Sequence, residues 1–165
     1  MADAAVINAV ETMLAKDVVS SKMAMAYITV NGNRYKLFQA VSLEAKLDKE
    51  KKEVSILGRM QKGNKATSVK GSGKLKIYKN TPLFDEMMEK LTNEGVDTYF
   101  DMQVSNSDPT SDAGRRTITL LNCNINSSTI AAFDADGDWL TDDIDFTFEG
   151  FKIPENFKIL DGMTK

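Results

Sequence analysis

Three stretches of this chain bring chemically capable side chains together. The first is FDADGDWLTDDIDF (133–146), with Asp134, Asp136 and Asp138 at alternate positions and Asp142, Asp143 and Asp145 behind them. Carboxylates at that spacing suit calcium. An EF-hand loop needs oxygen ligands at positions 1, 3 and 5, a glycine at 6 and a bidentate glutamate at 12. With position 1 at Asp134, position 6 is Trp139 and position 12 is Asp145. Tryptophan does not easily take the positive φ that glycine supplies, and aspartate is shorter than glutamate. The flanks alternate apolar with polar at period two, where an EF-hand has helices. The segment reads as a turn on Ala135-Asp136-Gly137-Asp138 joining two strands, with a weak non-EF calcium site as the alternative.

The second stretch is Gly71-Ser72-Gly73-Lys74. A phosphate loop needs Gly-Lys-Ser/Thr running into a helix. Here Leu75 and an alternating strand follow, so the glycines point to a bulge or a close backbone approach. The third is Cys123, a lone cysteine among apolar neighbours, expected to be a small buried hydrophobe. The chain has no histidine. That excludes Ser-His-Asp and Cys-His nucleophiles and histidine metal sites, and removes the commonest general base near neutral pH. Lysine and carboxylate chemistry remain, but no catalytic set is visible. The expectation is a non-enzyme with no cofactor.

The elements that must position these residues are mostly strands. Residues 24–38 read as a hairpin, because AMAYITV is β-branched and Asn31-Gly32 suits a type I′ turn. Residues 38–48 alternate as a half-buried strand, 49–53 (KEKKE) read as a charged turn, and 54–58 resume as a strand. Residues 59–68 form a basic loop and 69–80 a further strand. Thr81 as N-cap, Pro82 at the first position and the Phe84, Met87, Met88, Leu91 stripe predict a helix over about 82–93, stopped by Gly95. Strands are expected at 97–106, 115–125, 128–134 and 139–153. Residues 4–16 can form a short amphipathic helix or a loose arm, within an N-terminal segment 1–23. The result is one domain over 1–165, mainly β (α+β): an antiparallel β-sandwich or barrel with one packed α-helix and a β core over 24–153.

Composition narrows the class. The chain is 42% hydrophobic and 27% charged, as soluble globular proteins are. It lacks an apolar run of about 18 residues, so no membrane anchor is expected. Its N-terminus, with Asp3 and Glu11, makes a poor signal peptide. The net charge of −3 conceals two opposed regions. Residues 34–79 carry 13 Lys/Arg against 4 Asp/Glu, and residues 97–161 carry 4 against 13. Opposite halves can favour head-to-tail association of identical subunits, or both can simply present solvated faces. The basic segment 59–79 has little aromatic interleaving before Tyr78, so it suits a solvated or subunit-contacting face better than a base-stacking platform.

The order of local phrases resembles the tube proteins of contractile phage tails, the XkdM-like family, also found in phage-tail-like bacteriocins. AYITVNGNRYKLFQAVSLEAKLDKEKKEVSILGRMQKGNKATSVKGSGKLKIYKNTPLF (26–84) and DWLTDDIDFTFEGFKI (138–153) carry it, with Tyr78, Trp139, Phe146 and Phe148 in the aromatic positions. The resemblance implies a tail-tube-like fold and hexameric rings stacked into a tube. DNA would pass the lumen without specific binding, and sheath, baseplate and tail terminator proteins would be partners. It also implies a place in the virion tail after assembly in the host bacterial cytoplasm. Within it, the loop bearing Leu57, Arg59, Met60, Lys62 and Lys65 is the expected ring-stacking contact, being long, basic and placed between strands. Asp134, Asp136, Asp138, Asp142, Asp143 and Asp145 are the expected acidic surface, at a ring face or the lumen, where Asp/Glu should outnumber Lys/Arg. The alternatives are a monomeric β-sandwich module binding calcium or carbohydrate, or the tube component of a related injection system.

Overall fold

The computed structural model of the protein describes residues 13–163. The strands are β1 (Ala24–Val30), β2 (Asn33–Lys36), β3 (Ala40–Val54), β4 (Gly63–Tyr78), β5 (Phe100–Ser107), β6 (Arg115–Ile125), β7 (Thr141–Phe148) and β8 (Gly150–Glu155). One α-helix, α1 (Leu83–Glu94), follows β4. The strand order is β2-β1-β5-β6-β7-β4-β3, with β8 also on β6, and every pairing is antiparallel. The mainly β sandwich with one packed helix is thus present. The helix expected over 4–16 falls largely outside the described residues, while Ala15–Asp17 form a single 3-10 turn.

The β1–β2 hairpin turns as its sequence dictates, with Asn31 and Gly32 both at positive φ. The next hairpin departs from expectation. KEKKE is not a turn: β3 runs unbroken through it, with Lys49 opposite Val69, Glu50 opposite Ser68 and Lys52 opposite Lys65. Both faces of this stretch are exposed, so no apolar alternation marks it as strand. The turn lies at residues 55–62, so the strand expected at 54–58 is turn beyond Val54, and residues 63–68 of the expected loop belong to β4.

The expected strand at 128–134 is absent. Ser128 and Thr129 donate instead to the Asp142 side chain, at 3.0 and 2.7 Å. The single strand expected at 139–153 divides at Glu149. β7 pairs with β4, and β8 continues the path along β6, bridging two sheets. Asn122, at φ 51, donates its backbone N–H to Asp101 Oδ1 (3.1 Å) and its side-chain amide to Glu149 Oε2 (3.3 Å), fixing this corner.

The core lies between the sheets. Ile28 and Met102 face Leu75, Ile77, Ile144, Phe146 and Phe148, and Phe84 and Met87 of α1 close one end. Phe84 meets Phe100 edge to face at 6.4 Å. The helix starts one residue later than expected, and Gly95 stops it in the left-handed region. Gly71 and Gly73 are close approaches. The Phe148 ring lies where a Gly71 Cβ would be 2.7 Å away, and the Phe146 ring occupies the same place over Gly73. A groove of about 930 Å³ lies between strands of both sheets, lined by Leu43, Leu47, Ile118, Phe148, Phe151 and Ile153 among others.

Candidate assembly surfaces

The residues singled out from the sequence distribute over three places. Leu57, Arg59, Met60 and Lys62 form the turn of the β3–β4 hairpin, and Lys65 lies in β4 just past it. Leu57 and Met60 are fully exposed, although water is a poor solvent for both side chains. Gly58, at φ 82, makes the turn possible. An exposed ion pair, Lys62 Nζ to Glu53 Oε2 at 3.3 Å, joins the turn to β3 here.

The six aspartates do not form one surface. Asp134, Asp136 and Asp138 lie in the exposed loop 126–140. Asp134 organises the turn: its Oδ1 accepts from Asp136 N–H at 3.0 Å and its carbonyl from Gly137 N–H at 3.2 Å. Asp143 and Asp145 sit on the outer face of β7, in register with Lys76 and Lys74 of β4. Lys74 is in turn opposite Glu44 of β3, and Lys70 opposite Asp48. Cross-strand opposite charges of this kind stabilise a sheet face modestly.

Asp142 is a correction. It was expected on an acidic surface, and it is fully buried. Alternation places it on the same face of β7 as Ile144 and Phe146. A buried carboxylate needs partners, and it has three: Lys79 Nζ at 3.1 Å, Ser128 Oγ and Thr129 N–H. Burial alone would raise its pKa, but the Thr129, Lys79 and Ser128 donors outweigh that and hold the carboxyl below its ordinary value. Burial likewise works against the Lys79 ammonium, yet Asp85 of α1 and Asp142 together push its pKa up. The cluster ties α1, β4, β7 and the 126–140 loop at one point. Its sequence signal was masked because five neighbouring aspartates are solvent-facing.

A second set of carboxylates fastens the chain leading into β1. Asp108 accepts from Ser20 N–H and Thr110 N–H, both at 3.0 Å, and these backbone donors lower its pKa. Asp17 Oδ1 accepts from Asp112 N–H, and Lys16 pairs with Asp112 at 2.9 Å. Nothing in composition or periodicity marked these residues. Cys123 is buried with its thiol pushed up to about 12, chiefly by desolvation, and so stays protonated. No helix among the described residues is long and apolar enough to cross a membrane.

Among the described residues, β3 ends the strand order and pairs only with β4. Its outer edge therefore leaves backbone groups unpaired along a strand of 15 residues.

Comparison with known proteins identifies the family. Residues 11–155 match the family described as phage tail tube protein. The chain is 35% identical over 137 residues to the uncharacterized protein YqbM of Bacillus subtilis (strain 168), covering 79% of this chain and 93% of that protein. It is also 35% identical over 134 residues to the phage-like element PBSX protein XkdM of the same strain, covering 77% of this chain and 91% of that protein. Its fold is similar to a chain in the sheath-tube complex of PVC, an extracellular contractile injection system, in the extended state. The TM-score is 0.61 at 14% identity, covering 90% of this chain and 95% of that chain. A sandwich with an open edge and a projecting hairpin, matched to this family along most of its length, belongs to the phage tail tube protein family.

Proposed function

We propose that this chain is the subunit of the inner tube of a contractile tail or tail-like particle, closing into hexameric rings that stack head to tail. The observation that carries the reading is the unpaired edge of β3, with its hairpin extending beyond the core. A lone sandwich must protect such an edge, whereas a ring in which a neighbour's strand pairs with it removes the edge. Stacking of such rings is a heterologous contact, which propagates into an open filament. The tube role is structural, with tail sheath, baseplate and terminator proteins as partners. Assembly in the host cytoplasm suits a chain whose only cysteine is a buried thiol.

The outer face of β3, β4 and β7 is the wall we assign to the lumen. The sequence led us to expect acidic excess there, but this face is mixed: Glu44, Asp48, Asp143 and Asp145 stand in register with Lys74, Lys70 and Lys76. Lysines neutralised in register hold phosphates weakly, which suits passage of DNA without specific binding. Negative-stain microscopy and size exclusion of the purified chain test the reading. Rings or tubes with a central channel are expected. A protein that stays monomeric at every concentration, and melts higher with calcium or a glycan, would establish a monomeric binding module instead.

A further inference from the structure

Two exposed apolar features lie at opposite ends of the β3–β4 hairpin. At one end is the turn with Leu57 and Met60, flanked by Arg59 and Lys62. At the other is the 126–140 loop. It is placed there because Tyr78 pairs with Thr141, and Lys79 N–H donates to Leu140 O at 2.9 Å. This loop exposes Phe133 (97%) and Trp139 (74%) beside Asp134, Asp136 and Asp138. The 16 residues of β4 separate the two ends, roughly 50 Å at the usual rise per residue. Within one chain they cannot meet.

Resting on the tube reading above, we infer that the hairpin turn of one copy docks on the 126–140 loop of the next copy along the stack. Leu57 and Met60 cover Phe133 and Trp139, while Arg59 and Lys62 face Asp134, Asp136 and Asp138. Four observations favour a second copy over another occupant. The charges are complementary: the loop has three aspartates and no lysine or arginine, and the turn has an arginine and a lysine with no acid in 55–62. Both surfaces pair large exposed apolar groups with a charged rim, the composition of a contact core and its border. The loop is also held in shape beforehand. Asp142 pins Ser128 and Thr129, and Asp134 closes its own turn, so little ordering is lost on docking. The two surfaces sit at opposite poles, as a head-to-tail contact requires.

Cysteine cross-linking of the assembled protein tests the contact. Met60→Cys with Phe133→Cys in one chain, oxidised after assembly, is expected to give a ladder of covalent multimers on a denaturing gel. Either single substitution should stop at dimers, because Cys123 is buried. If the double variant forms tubes without a ladder, this contact is overturned and the tube reading stands. If the native chain forms neither rings nor tubes, the tube reading falls and the contact with it. As a second measurement, Arg59→Glu with Lys62→Glu should abolish tubes, and adding Asp136→Lys with Asp138→Lys should restore them. Normal tubes from the acidic-turn variant, or from Phe133→Ser with Trp139→Ser, would assign these surfaces to another partner and sink the proposal.

Discussion

The two halves of the β3–β4 hairpin share one ladder of hydrogen bonds and differ in everything around it. Near its base, Leu43, Leu75 and Ile77 face a second sheet, and the Phe146 and Phe148 rings lie across glycines. Beyond Leu47 and Gly71 neither face is buried among the described residues, and Lys, Glu and Ser outnumber apolar side chains. The base therefore holds the fold, and the projection contributes little to it. Chain that contributes little to its own fold is free to be selected for contact with something else. A substitution at the base should register in melting, and one in the projection should register in assembly.

Phe146→Ala is the strongest attempt to break that division at the base. It removes a buried ring from over Gly73, whose missing side chain cannot fill the space. The expected cost is about 3–5 kcal/mol, lowering Tm by roughly 10 °C in a chain of this size. A scanning calorimetry shift under about 3 °C would show that the rings are not central to the core.

Asp142→Asn comes next. It keeps the shape but leaves Lys79 with Asp85 alone and loses a charged acceptor, costing about 2 kcal/mol at neutral pH. The pH dependence has a definite sign. The carboxyl titrates below its ordinary value in the folded chain. Its contribution is present above the unfolded pKa, near 4, and disappears as pH falls through the lower folded value. Urea melts of the two proteins should differ at pH 7, and the gap should begin to close near pH 4 and vanish only below the folded value. A gap that stays constant over that range would mean that the cost is steric.

How far the sequence revealed this follows from what each residue touches. Asn31-Gly32, the Phe84 and Met87 face of α1 and the alternation of β7 were legible because local chemistry and burial agree there. The reach of β3 through KEKKE was not, since a strand solvated on both faces leaves no period-two pattern. The 128–134 segment misled for the opposite reason: its apolar run looks like a strand, but Ser128 and Thr129 are committed to Asp142. Of the loop singled out by charge and length, Leu57 to Lys62 lie in the turn and Lys65 lies in β4. The Asp142 cluster was missed because one buried aspartate among six cannot be told from its neighbours until the strand register is known.

In the projecting half, Leu57→Ser with Met60→Ser changes two fully exposed side chains. Stability should stay within about 0.5 kcal/mol of the native chain, while tubes seen by microscopy are lost or shortened. A large fall in Tm would place the turn in the fold and erase the division between base and projection.

The smallest expected effect makes the sharpest comparison. Lys62 and Glu53 in the projection are 3.3 Å apart, and Lys79 and Asp142 at the base are 3.1 Å apart. Chemistry and distance nearly match, but the first pair is largely exposed and the second is almost entirely buried. In water the first gains little Coulomb energy and spends side-chain entropy to hold two long chains together. Glu53→Gln should therefore move Tm by less than about 2 °C, where Asp142→Asn moves it several-fold more. Salt extends the test: 0.5 M NaCl should erase what remains of the exposed pair's coupling and leave most of the buried pair's. Double-mutant cycles on Lys62/Glu53 and Lys79/Asp142, each at low and high salt, measure both couplings. Equal couplings would mean that burial is not what separates the two halves of the hairpin.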